Sequence, residues 1–175
     1  MCSRLRHRLQ QKAVHCRSRC EMELMNEFVI KGSPSTVTAQ QKGETIYGHK
    51  IHHYKKKNVR EAEAILKDQL LPYLPDEPYE CPLCIRVMWL FDKKSLIKKE
   101  MKSFKMTRPD LDNMFKGLAD VMGDMGFFVD DSQIVSLELT KAWSREFPGL
   151  FIQIWKLTDE DYARIIDEWR DGHGY

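Results

Sequence analysis

The chain has 175 residues, with 28 Lys+Arg against 26 Asp+Glu and a formal net charge of +2. Hydrophobic residues make up 42% and charged residues 31%, the make-up of a globular protein of one domain's length that can bury a substantial core. No apolar run approaches the ~18 residues of a membrane span, no apolar stretch follows the basic start as in a secretory signal, and the five cysteines do not make a disulfide scaffold. A reducing cytoplasm is the expected compartment.

The near-neutral sum conceals a segregation. Residues 1–20 carry Arg4, Arg6, Arg8, Lys12, Arg17 and Arg19 and no acid, leaving 22 bases against 26 acids in the rest of the chain. Residues 1–21 are expected to be a disordered basic extension ahead of a domain spanning residues 22–175. Phe28-Val29-Ile30 begins the ordered pattern as a short strand from Glu27 to Ile30, closed by a turn at Lys31–Pro34. Residues 35–50 are polar and read as a loop or hairpin. From Asn58 to Leu71 the apolar residues Val59, Ala62, Ile65, Leu66 and Leu70 recur at helical spacing, and Pro72 and Pro75 end that helix. Tyr79 to Phe91 reads as a long strand rich in β-formers.

A sharp reversal of charge follows. Lys93, Lys94, Lys98, Lys99, Lys102, Lys105 and Arg108 share their stretch with one acid, Glu100. Asp110 to Glu138 then holds seven acids and one base, Lys116. Within it Leu111, Met114, Phe115, Leu118, Ala119 and Met122 form one apolar stripe, a helix from Leu111 to Met122 that Gly123 and Gly126 help to stop. Asp110 and Asp112 sit at its entrance, and the extended segment Phe127-Phe128-Val129 delivers a second acidic pair, Asp130 and Asp131. Two more strands are expected, Gln133–Lys141 and Leu150–Leu157. Thr158 then caps a last helix to about Arg170, with Asp159, Glu160 and Asp161 in the first turn where the helix dipole favours acids.

Capping accounts for one acid at the helix entrance but not for the return of a second pair. Like charges brought together repel, and a divalent cation relieves them; oxygen ligands of this kind suit Mg²⁺, with Mn²⁺ as a substitute. A basic tract beside such a site is what phosphodiester chemistry requires, since it needs both a cation and a grip on phosphate.

The strings Arg108-Pro109-Asp110-Leu111-Asp112-Asn113, then Lys116, then Gly126-Phe127-Phe128-Val129-Asp130-Asp131-Ser132-Gln133-Ile134-Val135 resemble the RusA family of Holliday junction resolvases. The resemblance implies an α+β fold, a single domain with a mixed sheet flanked by helices, working as a homodimer on four-way and other branched DNA in recombination or repair. It makes Asp110, Asp112 and Asp131 the essential carboxylates that hold one or two Mg²⁺ ions, Lys116 the catalytic lysine, and Asp130 an adjacent acid in a supporting position. On this reading a metal-bound water attacks in line, the metal stabilises the departing 3′ oxygen, and Lys116 supplies charge for the pentacovalent phosphorane. Lys93, Lys94, Lys98, Lys99, Lys102, Lys105 and Arg108 become the phosphate grip. A four-way junction is two-fold symmetric and must be cut on two strands, which gives a dimer its motive.

Rival readings keep part of this. A nuclease for flaps or forks would use the same chemistry on another substrate, and a branched-DNA-binding protein with a vestigial metal site would need the acids to have lost their role. Cys81-Pro82-Leu83-Cys84 is a lone C-x-x-C without the remaining ligands of a zinc site. Trp89, Trp143, Trp155 and Trp169 are expected in the core or a dimer interface. Neither a P-loop nor a G-x-G-x-x-G fingerprint is present, so no nucleotide cofactor is expected.

Overall fold

The computed structural model describes residues 22–37, 42–47, 50–92, 104–144 and 146–173. The strands are β1 (Glu23–Lys31), β2 (Lys42–Tyr47), β3 (Lys50–Lys55), β4 (Leu83–Phe91), β5 (Ile134–Trp143) and β6 (Gly149–Lys156). The helices are α1 (Lys57–Leu70), α2 (Leu111–Met125) and α3 (Asp159–His173). The fold class is α+β, with a four-stranded sheet in the order β1-β6-β4-β5 and a separate β2–β3 hairpin. Residues 24–157 form one compact unit, and α3 belongs to a different one.

The sheet is mixed because its central strand has two kinds of neighbour: β4 runs antiparallel to β6 and parallel to β5. A parallel neighbour requires a crossover, and α2 supplies it, making β4–α2–β5 the frame on which the candidate site is built. Alternation along β4 decides which face is covered. Leu83, Ile85, Val87, Trp89 and Phe91 are buried, whereas Arg86 and Met88 between them are not. That buried row packs in one core with Met114, Leu118, Val121 and Met122 from α2, Phe28 and Ile30 from β1, and Leu150, Ile152 and Ile154 from β6. On the other face Arg86 reaches Glu138 of β5 and Gln153 of β6 (3.1 Å), its register partners on either side.

Most expected elements stand where periodicity put them, with displaced ends. β1 starts at Glu23, ahead of the expected Glu27, since Glu23 to Asn26 are polar or half-exposed residues that the end of a terminal strand accommodates. β4 starts at Leu83, after the expected Tyr79, because Pro82 brings no backbone N–H to a ladder. Tyr79 makes only an isolated bridge to Phe128. α2 continues three residues past the expected Met122 to Met125. Gly123 is accommodated inside the helix, and Gly126 alone stops it, at φ +88° with its N–H turned back to Gly123 O and Met122 O. The polar stretch after Pro34 does contain a hairpin, with Lys42 opposite Lys55. At Thr158 the expected cap is present: Thr158 Oγ1 accepts from Asp161 N (3.3 Å), and Asp161 accepts from Thr158 N (2.9 Å).

Candidate active site

The segment Thr107–Asp110 carries the first acidic pair into α2, and two lysines hold it from below. Lys105 is only 4% exposed. Its Nζ lies 5.0 Å from the centre of the Phe91 ring and 5.2 Å from that of Trp143, and donates to Thr107 O (2.9 Å), Thr107 Oγ1 (2.8 Å) and Arg108 O. Lys141, near the end of β5, donates to Thr107 O (3.0 Å) and Pro109 O (2.6 Å). The Arg108–Pro109 peptide is cis. An ammonium buried between aromatic rings is tolerated only because its donors are satisfied, and here the acceptors are the carbonyls of this segment. Lys105 was expected in the phosphate grip. The structure corrects this: Lys105 braces the α2 entrance from inside.

Above that brace the functional groups face solvent. Asp110 occupies the N-cap position of α2, yet its side chain makes no capping hydrogen bond, although its carbonyl accepts from Met114 N (3.1 Å). Asp112 lies in the first turn and Lys116 one turn on. All of Arg108, Asp110, Asp112 and Lys116 are exposed. Among the described residues none of them forms an ion pair or a side-chain hydrogen bond, so neither helix capping nor an Asp112–Lys116 pair uses up these charges. The positive end of the helix dipole favours the carboxylates there. A cleft of about 530 Å³ borders the entrance at Asn113 and Gly117, but Ile30, Val59, Leu66 and Trp89 make its walls largely apolar, which suits no phosphate.

The second acidic pair has a different setting. Asp130 caps the 3-10 turn Asp131–Gln133: its carboxylate accepts from Ser132 N (2.8 Å), and Gln133 Oε1 accepts in return from Asp130 N (2.8 Å). The donation from Ser132 lowers the Asp130 pKa below the ordinary carboxylate range. Gln133 also donates through Nε2 to Tyr79 O (3.0 Å) and Cys81 O (3.3 Å), fixing the turn against the start of β4. The Asp-Asp-Ser-Gln string is thus half scaffold. Asp130 and Gln133 shape the turn, and Asp131 is left exposed, with no hydrogen bond or ion pair among the described residues.

The structure does not bring the two pairs together in one chain. The 15 residues of α2 separate them, a length of about 22 Å at ~1.5 Å per residue. A second ruler agrees. Lys141 holds Pro109 at the far end of β5, while Asp131 precedes the near end, and Ile134 to Lys141 spans about 23 Å at ~3.3 Å per residue. Among the described residues no three acids, histidines or cysteines gather as a metal would require. The expected three-carboxylate centre is therefore not assembled within one chain, which offers a divalent cation only Asp110 and Asp112 at the α2 entrance. Lys93, Lys94, Lys98, Lys99 and Lys102 lie outside the described residues, and Arg108 is the one described base of the expected grip that is exposed.

Lys141 is the residue that sequence reasoning missed. Its signal was a lone lysine next to Ala142 and Trp143 at the end of an expected strand, where an ammonium needs acceptors close by.

A parallel β–α–β unit with an exposed carboxylate pair, a lysine and an arginine at its helix entrance defines a hydrolytic scaffold suited to phosphate esters. Comparison with known proteins makes this specific. Residues 32–155 match the family model described as Endodeoxyribonuclease RusA. The chain is also 36% identical over 123 residues to the crossover junction endodeoxyribonuclease rusA of Lactococcus phage r1t, an alignment covering 69% of this chain and 89% of that protein. The chain belongs to the RusA family of endodeoxyribonucleases, hydrolases acting on phosphodiester bonds.

Proposed function

We propose that the protein resolves four-way DNA junctions by paired hydrolytic cuts, as a step of DNA recombination or repair. The observation that carries this reading is the α2 entrance of a RusA-family chain: Asp110, Asp112, Lys116 and Arg108 exposed together and uncommitted among the described residues. A relative named as a crossover junction endodeoxyribonuclease supports the choice of branched DNA.

In this reading the chain's own groups divide the work. Arg108 and Lys116 hold the scissile phosphate by charge, with Arg108 able to offer a bidentate fork and Lys116 a point charge that follows the developing negative charge. Asp110 and Asp112 supply acceptor oxygens at the helix start that would hold a Mg²⁺ ion (or Mn²⁺ in its stead). When bound, such a cation would supply Lewis acidity to a phosphate oxygen and to water. Lys105 and Lys141 keep the segment that bears these groups from drifting, and a drift of about 1 Å at a reacting centre can cost ~10²-fold in rate. Lys93, Lys94, Lys98, Lys99 and Lys102 grip flanking phosphates in the same reading.

The test is cleavage of end-labelled four-way junctions, flaps, forks and plain duplex, with Mg²⁺ and with EDTA. Symmetric paired nicks on the four-way junction, lost in EDTA, are expected. Equal or faster cutting of flaps and forks would make the protein a more general structure-selective nuclease, and binding of junctions without any cutting would make it a branched-DNA-binding protein.

A further inference from the structure

α3 carries its apolar residues on an exposed side. Tyr162, Ile165, Ile166 and Trp169 recur at helical spacing and make one stripe along the helix. Tyr162 is 68% exposed, Ile165 44% and Trp169 60%, and Ile166 is half-buried. The covered side of the helix is polar instead, since Asp161 is 3% exposed and accepts from Thr158 and Arg164. A 15-residue helix draws most of its stability from packing an apolar face, and α3 turns that face to solvent.

The fold singles out a segment that can reach this stripe. β1 and β6 are neighbours in the sheet, and Gly32, just past the end of β1, donates to Pro148 O (3.1 Å), just before β6. The two strands are therefore antiparallel, and the start of β1 lies beside the end of β6. Residues 1–21 thus enter the sheet next to the point where the chain leaves it for α3. Both segments also lie outside residues 32–155, which match the family model.

Their charges are opposite. Residues 1–20 hold Arg4, Arg6, Arg8, Lys12, Arg17 and Arg19 with no acid. α3 holds Asp159, Glu160, Asp161, Asp167, Glu168 and Asp171 against Arg164 and Arg170. That surplus of acids repels both a phosphate backbone and the α3 of a second copy, while it attracts the basic arm. The arm also has an apolar stripe of its own, because Leu5, Leu9, Ala13, Cys16 and Cys20 recur at steps of three and four. As a helix, Leu5 to Cys20 would span about 24 Å at ~1.5 Å per residue, close to the ~22 Å of α3.

We propose that residues 1–21 form an amphipathic helix that docks antiparallel on the Tyr162–Ile165–Trp169 stripe of α3. Leu5, Leu9 and Cys16 meet the stripe. Arg17 and Arg19 then lie toward Asp159 and Glu160, and the arginines nearer the start of the chain lie toward Asp167 and Asp171. Antiparallel helices also set opposite dipole ends against each other. The basic start of the chain is on this account an intramolecular partner, where its composition suggests a disordered extension. The inference uses no residue of the α2 entrance and stands apart from the nuclease reading.

The test is hydrogen–deuterium exchange of the full-length protein, read peptide by peptide by mass spectrometry. Peptides from residues 1–21 should exchange at least ~10-fold more slowly than unstructured chain. Ile165→Lys, at an exposed position compatible with folding, should abolish that protection, and so should Leu9→Lys on the arm. Val14→Lys adds the same charge on the other side of the arm helix and should leave the protection within about 2-fold of wild type. Peptides of β4 and β6 should keep their wild-type protection in all three variants, which shows the domain intact. Arm peptides that exchange as unstructured chain in the wild type would overturn the proposal, as would arm protection unchanged by Ile165→Lys or lost equally in Leu9→Lys and Val14→Lys. Protection that fell away on dilution would give the stripe to the arm of a second copy, and protection gained only on adding duplex DNA would give the arm to phosphates. Either result would also overturn it.

Discussion

Replacing Lys105 with Met is the sharpest test of the idea that the α2 entrance is braced from inside. Methionine keeps the length and apolar stem of lysine, so the contact with Phe91 and Trp143 survives as packing while the ammonium disappears. Three donations go with it, to Thr107 O, Thr107 Oγ1 and Arg108 O. Hydrogen bonds to a charged group contribute about 1.5–3 kcal/mol each when fully buried. Thr107 and Arg108 are exposed, however, so water replaces part of the loss, and Lys141 still serves Thr107 O at 3.0 Å. About 1 kcal/mol for each of two effective bonds, plus about 1 kcal/mol of cation–π attraction, less about 1 kcal/mol regained by no longer burying a charge, leaves a net loss of ~2 kcal/mol. Urea unfolding should show it as a midpoint lower by about 1 M with an unchanged slope. Junction cleavage should fall further than stability does, by ~10-fold or more at a temperature where the variant is fully folded, because the loosened segment carries Asp110. A variant as stable as wild type and equally active would refute the bracing role and return Lys105 to the general pool of bases.

Asp112→Asn should leave four-way junction binding within about 2-fold in a gel-shift assay while lowering the cleavage rate by at least ~10²-fold, and equal losses in both would mean a binding role only. Gly149→Ala should destabilise the protein by about 2 kcal/mol or more in the same urea assay, because the added Cβ would meet Ile30 O at 2.8 Å, a backbone atom that cannot swing aside. An unchanged midpoint would show that β1 and β6 can separate without loss. Burial alone would raise the Asp161 pKa, but donations from Thr158 and Arg164 outweigh it and hold the group below the ordinary carboxylate value. The stability Asp161 contributes is therefore present above its unfolded pKa of about 3.9 and is lost as pH falls through the lower folded value. Asp161→Asn should cost about 1 kcal/mol of helix stability near neutral pH, and the gap to wild type should close in acid, followed by circular dichroism. A gap that persisted at about pH 2 would mean packing, not charge, is responsible.

Local elements were legible because their signals are local. The stripe from Leu111 to Met122 forms α2, and Thr158 caps α3, for reasons contained within a turn or two of chain. The D-x-x-Q spacing of Asp130 and Gln133 is likewise a local signal, a capping box. Two things needed the folded chain. Nothing near Lys105 in sequence marks it as buried, since Phe91 and Trp143 close over it from β4 and β5. The distance between the acid pairs was implicit in the expected helix, for residues at the two ends of a four-turn helix cannot share a ligand. Charge pattern by itself groups acids that the length of α2 keeps apart.

The charge of the chain is separated in space as well as in sequence, and this decides where DNA can lie. Arg108, Lys116 and Lys141 stand at the entrance end of α2 and the end of β5, while Asp124, Asp130 and Asp131 stand at the opposite end. Asp124 also sits in the last turn of α2, where the helix dipole is unfavourable to it, and Lys67 of α1 offsets this at 3.2 Å. A phosphate backbone is repelled at the Asp131 end and drawn to the end that carries Arg108, Lys116 and Lys141.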